Sequence, residues 1–198
     1  MQAADTDKQR RRFLTTAATV VGGAGVLATA IPFMSTLSPS ARTRAFGAPV
    51  EVDISKLQPG QRMIANWQGK PVWILRRDEK TLSVLETLDG ELKDPKSDAR
   101  QQPDYAKNEY RSVKSEYLVV IGICTHLGCS PNYFPADEQQ ELGPDWKGGF
   151  WCPCHGSRFD MAGRVYKGVP APANLVVPPY KFVNATVIRI GDDSGGSV

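Results

Sequence analysis

The sequence predicts an all-β domain that follows one long apolar N-terminal segment. From Val50 onward, short apolar runs alternate with turn residues such as Pro59, Gly60 and Gly69, a pattern typical of short strands with tight connections. Residues 13–41, by contrast, carry no charged side chain. The 198 residues allow one domain and an appendage, since a domain takes roughly 100–200 residues. The net charge of +3 is too small to favour nucleic acid as a partner.

The apolar segment 13–37 is long enough to cross a membrane, because a spanning helix needs about 20 residues. A cleaved secretory signal is the alternative. Against cleavage, the segment exceeds the roughly 7–15 residues of a signal core, and only residues 45–48 (AFGA) offer a weak cleavage site. We therefore expect an uncleaved transmembrane anchor at 13–37, preceded by a basic cytoplasmic segment at 1–12.

The charges around this segment predict its orientation. Four basic residues precede it and two follow it: Lys8, Arg10, Arg11 and Arg12 before, Arg42 and Arg44 after. This bias places the N-terminus in the cytoplasm and the following domain on the periplasmic side of a bacterial inner membrane. Residues 9–14 (QRRRFL) also resemble a twin-arginine export signal. Plain positive-inside charge would explain the arginines alone, but the Phe–Leu pair in the expected place favours the export signal.

The remaining chain divides into a tether, a domain and a tail. Residues 38–49 are small, polar and flanked by proline, without periodicity, and predict a flexible tether that is either a passive spacer or a hinge. The domain is expected at 50–191 and a disordered tail at 192–198. A short helix is predicted at 78–86, and mostly loop at 89–115. The predicted strands are 50–54, 62–67, 71–76, 117–123, 149–152, 165–166 and 186–190.

All four cysteines and both histidines fall in two short boxes, residues 124–129 (CTHLGC) and 152–157 (CPCHGS). Scattered core cysteines or surface histidines would not sort themselves in this way. The first box follows the apolar run 117–123, and a predicted strand also leads into the second, so both boxes should be loops at strand ends. Gly128 and Gly156 supply the backbone freedom that such tight loops need.

Three kinds of site fit these ligands. A zinc site is possible, although zinc ligands usually follow C-x₂₋₄-C and H-x₃₋₅-H spacing, whereas here each loop contributes one Cys and one His. Covalent haem attachment needs C-x-x-C-H, one residue more than segment 152–155 offers. The third is a Rieske centre, in which two Cys bind one iron of a 2Fe–2S cluster and two His bind the other.

Taken together, the boxes resemble those of Rieske iron–sulfur proteins, in the four-cysteine form of the bacterial quinol–cytochrome c reductase, or cytochrome bc, complex. The resemblance extends through residues 69–72, 163–164 and 168–175, and with the anchor it covers essentially the whole chain. It implies one Rieske 2Fe–2S cluster. It also implies a Rieske-type antiparallel β sandwich whose cluster-binding part lies at about 122–175.

The resemblance assigns a role to residues in and around the boxes. The implied ligands are Cys124 and Cys152 on the inner iron and His126 and His155 on the outer iron. Cys129 and Cys154 would form a disulfide between the loops, which suits an oxidising compartment. Ser157 would donate a hydrogen bond to a bridging sulfide. The cluster surroundings would include Leu127 on the docking surface, Gly128, Phe159, and a proline loop at 168–172 with Gly168 and Pro170.

Two features depart from the family pattern. High-potential members carry Tyr two residues after the serine, and this chain has Phe159. The absence of a hydroxyl that would donate to a ligand sulfur predicts a lower midpoint potential. The second departure is the longer than usual separation of His126 from Cys152, with residues 132–147 as the apparent insertion. That segment is either a partner contact or a tolerated surface loop, and we favour the loop.

The function implied by the resemblance is electron transfer in the respiratory quinol–cytochrome c reductase, an oxidoreductase and translocase. His155 would accept the hydrogen bond of the quinol hydroxyl at a site on cytochrome b. The domain would then swing on its tether and reduce a c-type cytochrome, within a dimeric complex. Two alternatives remain open. They are the Rieske small subunit of a periplasmic molybdenum oxidase such as arsenite oxidase, and a binding domain stapled by zinc and a disulfide.

Overall fold

The computed structural model describes residues 2–136, 142–143, 145–192 and 194, with side chains from residue 6 onward. It divides into two compact units, Met1–Ala45 and Phe46–Val198. The first unit contains helix α1 (Gln2–Thr36), which confirms the predicted long apolar helix. By length and composition this helix could cross a membrane, and no part of its most apolar stretch is buried inside the protein.

A short helix, α2 (Ala41–Phe46), lies in the segment that was predicted to lack regular structure. The local reason is a capping serine. The Ser40 Oγ accepts a hydrogen bond of 3.1 Å from the backbone N–H of Thr43, and the Ser40 carbonyl accepts one of 3.0 Å from Arg44. A serine oxygen that satisfies a free N–H of the first turn stabilises the start of a helix. The expectation of a segment without helix at 38–49 was therefore wrong for these six residues.

In the part of the second unit that the structure describes, the strands form three antiparallel sheets of three strands each. In chain order the strands are β1 (Val50–Asp53), β2 (Arg62–Trp67), β3 (Lys70–Arg76), β4 (Tyr117–Ile121), β5 (Asn132–Phe134), β6 (Gly149–Trp151), β7 (Arg158–Phe159), β8 (Tyr180–Phe182) and β9 (Val187–Ile190). The strand orders are β1-β9-β8, β2-β3-β4 and β5-β6-β7. The sheets, together with the single long helix, confirm the predicted fold class.

The core lies against β3 and β4. Every residue of β4 is buried, which explains why its sequence is a continuous apolar run rather than an alternating one. In β3, Trp73 pairs with Val120 of β4 and is almost fully buried. Its indole stacks on Phe150 of β6 with ring centroids 5.0 Å apart. This contact packs the second sheet against the third, the sheet from which the second box extends.

Most of the predicted elements are present. Helix α3 (Glu79–Leu85) is capped by Asp78, whose carboxylate accepts a hydrogen bond of 2.7 Å from the Thr81 N–H. Within 86–115 the described structure adds only the 3₁₀ helices Glu86–Glu91 and Asp104–Ala106. The predicted strand 165–166 makes two isolated bridges instead of joining a sheet. Strands β5, β7 and β8 were missed, since two or three residues are too few to show an alternating pattern.

The apparent insertion at 132–147 begins as part of the fold. Its first three residues are strand β5, which pairs with β6. Near its end, Trp146 is buried in a small cluster with Leu88, Leu92 and Tyr166. Residues 137–141 and 144 lie outside the described residues. The loop interpretation can therefore apply only to the middle of this segment.

The predicted disordered tail at 192–198 is described only in part. The carboxylate of Asp192 forms an ion pair of 2.9 Å with Lys181 and accepts a hydrogen bond of 2.9 Å from the Ser194 N–H. These two residues are therefore held against strand β8. Residue 193 and residues 195–198 lie outside the described residues.

Gly122 links the core to the first box. Its N–H donates a hydrogen bond of 2.8 Å to the Pro71 carbonyl, so the chain that leaves β4 passes directly over β3. A Cβ at this position would lie 2.1 Å from the Trp73 side chain, far inside van der Waals contact. Only glycine therefore lets the strand that leads to Cys124 approach the tryptophan this closely.

We expect Gly122→Ala to lower the free energy of unfolding by about 1–3 kcal/mol, the usual cost of overpacking a core. The matched control is Gly90→Ala, because a Cβ at Gly90 meets nothing within 4 Å. Denaturant titration of both variants measures the effect. If the two variants were equally stable, the Trp73 side chain would have to move aside at no cost in free energy, which would contradict the steric clash described above.

Candidate metal centre

The two boxes fold alike. Each is a six-residue loop in which the N–H of the first residue, a cysteine, donates to the carbonyl of the sixth, and the N–H of the fifth residue, a glycine, donates to the carbonyl of the first. In the first box these bonds are Cys124 to Cys129 at 2.7 Å and Gly128 to Cys124 at 3.1 Å. In the second they are Cys152 to Ser157 at 2.8 Å and Gly156 to Cys152 at 2.9 Å.

The glycine at the fifth position makes this loop possible. Gly128 has φ +86° and Gly156 has φ +72°, in the left-handed region that glycine adopts without steric cost. The residue before each glycine lies at the tip of its loop. These tip residues are Leu127, which is 72% exposed, and His155, which is also exposed. The two boxes therefore present an apolar side chain and an imidazole at equivalent positions.

A disulfide joins the loops. Cys129 and Cys154 are bonded, with their Cα atoms 6.7 Å apart, which confirms the pairing implied by the family resemblance. The bond ties the sixth position of the first box to the third position of the second. It leaves Cys124 and Cys152 as free cysteines, both buried.

The four remaining ligand candidates differ in how deeply they are buried. Cys124 and Cys152 are buried, His126 is half-buried and His155 is exposed. The imidazole rings lie with centroids 4.8 Å apart at an interplanar angle of 85°. Two thiols beneath two imidazoles, one of each from either loop, are the donors that a Rieske cluster requires, so the residues present fit a 2Fe–2S group. The two boxes therefore contain all four ligands that such a cluster needs.

A second set of sulfur atoms lies close together but does not form an alternative metal site. The Sγ atoms of Cys129, Cys152 and Cys154 all lie within 4.8 Å of one another. Two of these three are consumed by the disulfide, and a disulfide sulfur is not a thiolate ligand. The grouping shows instead that the disulfide packs directly against one of the two free thiols.

Burial raises the pKa of the Cys124 thiol, and the neighbouring Cys152 thiol raises it further. Hydrogen bonds from the His126 backbone and the Ser157 hydroxyl lower this pKa and only partly oppose the effect of burial. A buried thiol keeps its proton unless a positive charge compensates the thiolate. A metal ion bound between the two thiols would supply that charge, and the site is consistent with metal ligation.

The proline loop, residues 168–172, is bonded to the second box, and the residue after it to the first. The Ser157 Oγ accepts a hydrogen bond of 3.0 Å from the Ala171 N–H, and the Thr125 hydroxyl donates one of 2.6 Å to the Ala173 carbonyl. Gly168 and Pro170 are exposed on its outer side. The proline loop and the residue after it are therefore joined to the two boxes by side-chain hydrogen bonds.

A buried ionic network supports the second box from below, and sequence reasoning missed it. Asp160 and Arg164 are fully buried and form an ion pair of 2.7 Å. The other carboxylate oxygen of Asp160 accepts the N–H groups of Ala162 and Arg164, which closes the turn after Phe159. The sequence signal was an Asp and an Arg four residues apart, a spacing too common to indicate burial.

Arg111 connects this turn to the end of the proline segment. Its guanidinium donates to the carbonyls of Ala162 and Gly163 at 3.1 and 3.2 Å and to that of Leu175 at 2.7 Å. Burial lowers the pKa of Arg111 to about 10, which still leaves the guanidinium charged at neutral pH. Phe159 is fully buried above this network, where it pairs with Phe150 of β6.

Comparisons with known proteins agree with this geometry. The profile of the Rieske [2Fe-2S] domain matches residues 90–181, and one described as "Ubiquitinol-cytochrome C reductase Fe-S subunit TAT signal" matches residues 1–40. A ubiquinol-cytochrome c reductase iron-sulfur subunit of Allochromatium vinosum is 55% identical over 197 residues, covering 100% of this chain and 95% of that protein.

Proteins of the same name from two further bacteria are similar along nearly their whole length. The one from Blastochloris viridis is 47% identical, covering 96% of this chain and 98% of that protein. The one from Bradyrhizobium diazoefficiens is 44% identical, with coverages of 92% and 94%. A Rieske protein carries one 2Fe–2S cluster, and the donors described above can hold it. The chain thus belongs to the family of ubiquinol–cytochrome c reductase iron–sulfur subunits, an oxidoreductase family with an N-terminal twin-arginine segment.

Proposed function

We propose that this chain takes one electron and one proton from quinol and passes the electron to a c-type cytochrome. The observation that carries the proposal is the exposed imidazole of His155 at the tip of the second box, with its ring centroid 4.8 Å from that of His126 in the first. A site that only stabilised the fold would have no reason to present a histidine to solvent. The names of the relatives, which are reductase subunits, support the same function.

Four residues are proposed to hold the cluster. The buried Cys124 and Cys152 bind the inner iron, and His126 and His155 bind the outer iron. When bound, the 2Fe–2S cluster supplies a centre that accepts and releases a single electron. The buried thiols keep water from the inner side of the site, whereas the imidazoles lie between the site and the protein surface.

His155 is proposed to contact quinol. A metal-bound imidazole has a second ring nitrogen, which can accept a hydrogen bond from the quinol hydroxyl and then its proton. His155 is exposed, whereas His126 is only half-exposed, so His155 has the better access to a substrate. Leu127 provides an apolar surface beside it, which would exclude water from the contact when the domain docks.

Ser157 is proposed to adjust the potential of the site. Its buried hydroxyl already accepts the Ala171 N–H, so its own hydrogen is available for a sulfur atom. A hydrogen bond to a cluster sulfur stabilises the more negative, reduced state and raises the reduction potential. Phe159, two residues further along, offers no such hydrogen bond.

The N-terminal unit is proposed to anchor the domain. Residues 1–12 would lie in the cytoplasm, residues 13–37 would span the bacterial inner membrane, and the domain at 50–191 would lie in the periplasm. Residues 38–49 would act as the tether on which the domain moves between partners, despite the short helix within them. A twin-arginine signal suits this cargo, because it exports a domain that has already folded around its cofactor.

The proposed partners are cytochrome b, where quinol is oxidised, and a c-type cytochrome that accepts the electron, within a dimeric complex. The small-subunit role in a molybdenum oxidase gains no support from the three relatives described above, which are named as reductase subunits. Purification of the membrane complex separates the two functions. The chain should elute with b-type and c-type haem, and elution with molybdopterin instead would favour the oxidase.

We expect His155→Ala to abolish quinol oxidation and to remove the EPR signal of the reduced Rieske cluster, since one substitution deletes an iron ligand and the quinol contact. Ser130→Ala is the control, because Ser130 is exposed and directly follows the first box without belonging to it. Quinol turnover and EPR of the purified complexes provide the measurements. Wild-type turnover in His155→Ala would exclude His155 from both roles.

Phe159→Tyr should raise the midpoint potential, because the added hydroxyl can donate to a ligand sulfur next to the second box. Phe182→Tyr is a matched control, since Phe182 is also buried but lies in the sheet of β1, β9 and β8. Redox titration monitored by EPR gives the two potentials. An unchanged potential in Phe159→Tyr would contradict the assignment of Phe159 as the reason for a lower value.

Replacing both disulfide cysteines, in Cys129→Ser with Cys154→Ser, should speed loss of the cluster while leaving all four ligands in place. The two residues are separated by 25 in sequence, and a crosslink over such a loop contributes about 3 kcal/mol in the chain-entropy model. Decay of the visible absorbance in the presence of a chelator measures the rate. A decay as slow as that of the wild type would mean that the loops hold the site without their crosslink.

A further inference from the structure

The proline loop lacks ordinary backbone partners. Pro170 and Pro172 have no N–H, so this stretch cannot pair with a strand in a regular ladder. The carbonyls that precede the two prolines, those of Val169 and Ala171, still require hydrogen-bond donors. Something other than a neighbouring strand must therefore hold the loop in place.

The side chain of Lys93 supplies both donors. Its Nζ donates a hydrogen bond of 2.7 Å to the Val169 carbonyl and another of 2.7 Å to the Ala171 carbonyl. Hydrogen bonds from a charged donor are stronger than those between neutral groups. No ion pair among the described residues involves Lys93, so its charge is directed at the loop rather than at a carboxylate.

The backbone of Lys93 is itself held against the strand-like segment that leads into the loop. The Lys93 N–H donates to the Val165 carbonyl at 3.0 Å, and the Lys167 N–H donates to the Glu91 carbonyl at 2.8 Å. Leu92 and Tyr166 form a β-bridge between these two bonds. Because its starting point is fixed in this way, the Lys93 side chain spans a defined distance to the loop.

Ala171 is held from its other side by the second box. Its N–H donates to the Ser157 Oγ at 3.0 Å, while its carbonyl accepts from Lys93 at 2.7 Å. A serine hydroxyl has one hydrogen, and an Oγ that accepts from one direction aims that hydrogen in another. The buried Ser157 hydroxyl therefore has a free hydrogen that can be aimed at a sulfur atom of the site. A continuous chain of hydrogen bonds runs from Lys93 through Ala171 to Ser157, in the same box as the proposed ligand Cys152.

We propose that Lys93 is a positioning residue for the metal centre, which clamps the proline loop against Ser157 and so directs the Ser157 hydroxyl at sulfur. The inference rests on the proposed function, because its electronic consequence requires the cluster. Without the clamp, the Ala171 N–H moves relative to Ser157, and the hydroxyl spends less time bonded to sulfur. The reduced state loses part of its stabilisation and the midpoint potential falls.

Removing Lys93 also has a direct electrostatic effect on the metal centre. Lys93 is a cation, and removing any nearby cation disfavours a reduced, more negative centre whether or not Ser157 is involved. The two explanations differ in their dependence on Ser157. A direct charge effect is the same with or without the serine hydroxyl, whereas an effect transmitted through Ser157 disappears with it.

The experiment is a double-mutant cycle on the full chain in its purified complex, with Lys93→Met, Ser157→Ala and their combination. Redox titration should show that Lys93→Met shifts the midpoint potential downward in the wild-type background and has little effect in the Ser157→Ala background. Lys93→Arg should keep a potential near that of the wild type, because its guanidinium can also donate to both carbonyls. Equal shifts in the two backgrounds, or no shift in either, would overturn the proposal.

Lys167→Met is the matched control. Lys167 is also an exposed lysine whose Nζ donates to a backbone carbonyl, but that carbonyl belongs to Gly90 and not to the loop. Its replacement should leave the potential unchanged. A fall as large as that of Lys93→Met would assign the effect to charge alone.

Hydrogen exchange tests the clamp without using the cluster. In Lys93→Met, a peptide that contains residues 168–173 should exchange at least about tenfold faster, because two charge-assisted hydrogen bonds to the loop are lost. Exchange in β4 should not change. Wild-type exchange in the loop would contradict the clamp. A wild-type protein without the EPR signal of a Rieske cluster would instead contradict the proposed function, and the exchange result would still stand.

Discussion

The Cys129–Cys154 disulfide is the bond on which the geometry of the site depends, because the ligands come from two loops that no continuous strand connects. Each loop keeps its own shape through two internal hydrogen bonds and a left-handed glycine, but neither set fixes one loop relative to the other. The crosslink supplies that constraint. It joins different positions of the two boxes, and the histidines also occupy different positions, the third in the first box and the fourth in the second. The two loops thus have the same backbone conformation, but the side chains at equivalent positions have different roles.

The site has a buried inner side, formed by the two thiols, and an outer side, formed by the two imidazoles. Cys124 and Cys152 face the core formed by β3, β4 and β6, and His155 faces solvent beside Leu127. Burial makes a bare thiolate unfavourable at Cys124, so the thiol keeps its proton unless a bound cation compensates the charge. Exposure of the imidazole gives a proton donor or acceptor access to the outer face. The buried and the exposed ligand candidates therefore lie at opposite ends of the same small site.

The support beneath the loops is polar to an unusual degree for a protein core. Arg111, Asp160 and Arg164 are fully buried, and their hydrogen bonds satisfy the carbonyls and N–H groups of irregular backbone that no sheet pairs. Buried charges are tolerated where hydrogen-bond partners compensate them, and among the polar side-chain atoms of these three residues only the Nε of Arg111 lacks one. The Trp73–Phe150 stack adds the apolar connection between the second and third sheets. Irregular loops are in this way held by buried side chains, where regular strands would be held by backbone pairing.

The sequence by itself determined the chemistry of the site. The two boxes of Cys and His residues resemble those of a known family, and that resemblance predicted the disulfide pair and the four proposed ligands, while apolar runs such as 117–123 marked the core strands. It could not determine which side chains hold the loops from outside, because Lys93 lies far from Ala171 in sequence and a lysine in a charged segment looks like a solvated residue. Strand β7 was hidden because two residues show no periodicity, and the buried pair of Asp160 and Arg164 because its spacing is too common to indicate burial. Local patterns report local periodicity, whereas contacts between distant segments, and the burial they cause, exist only once the chain has folded.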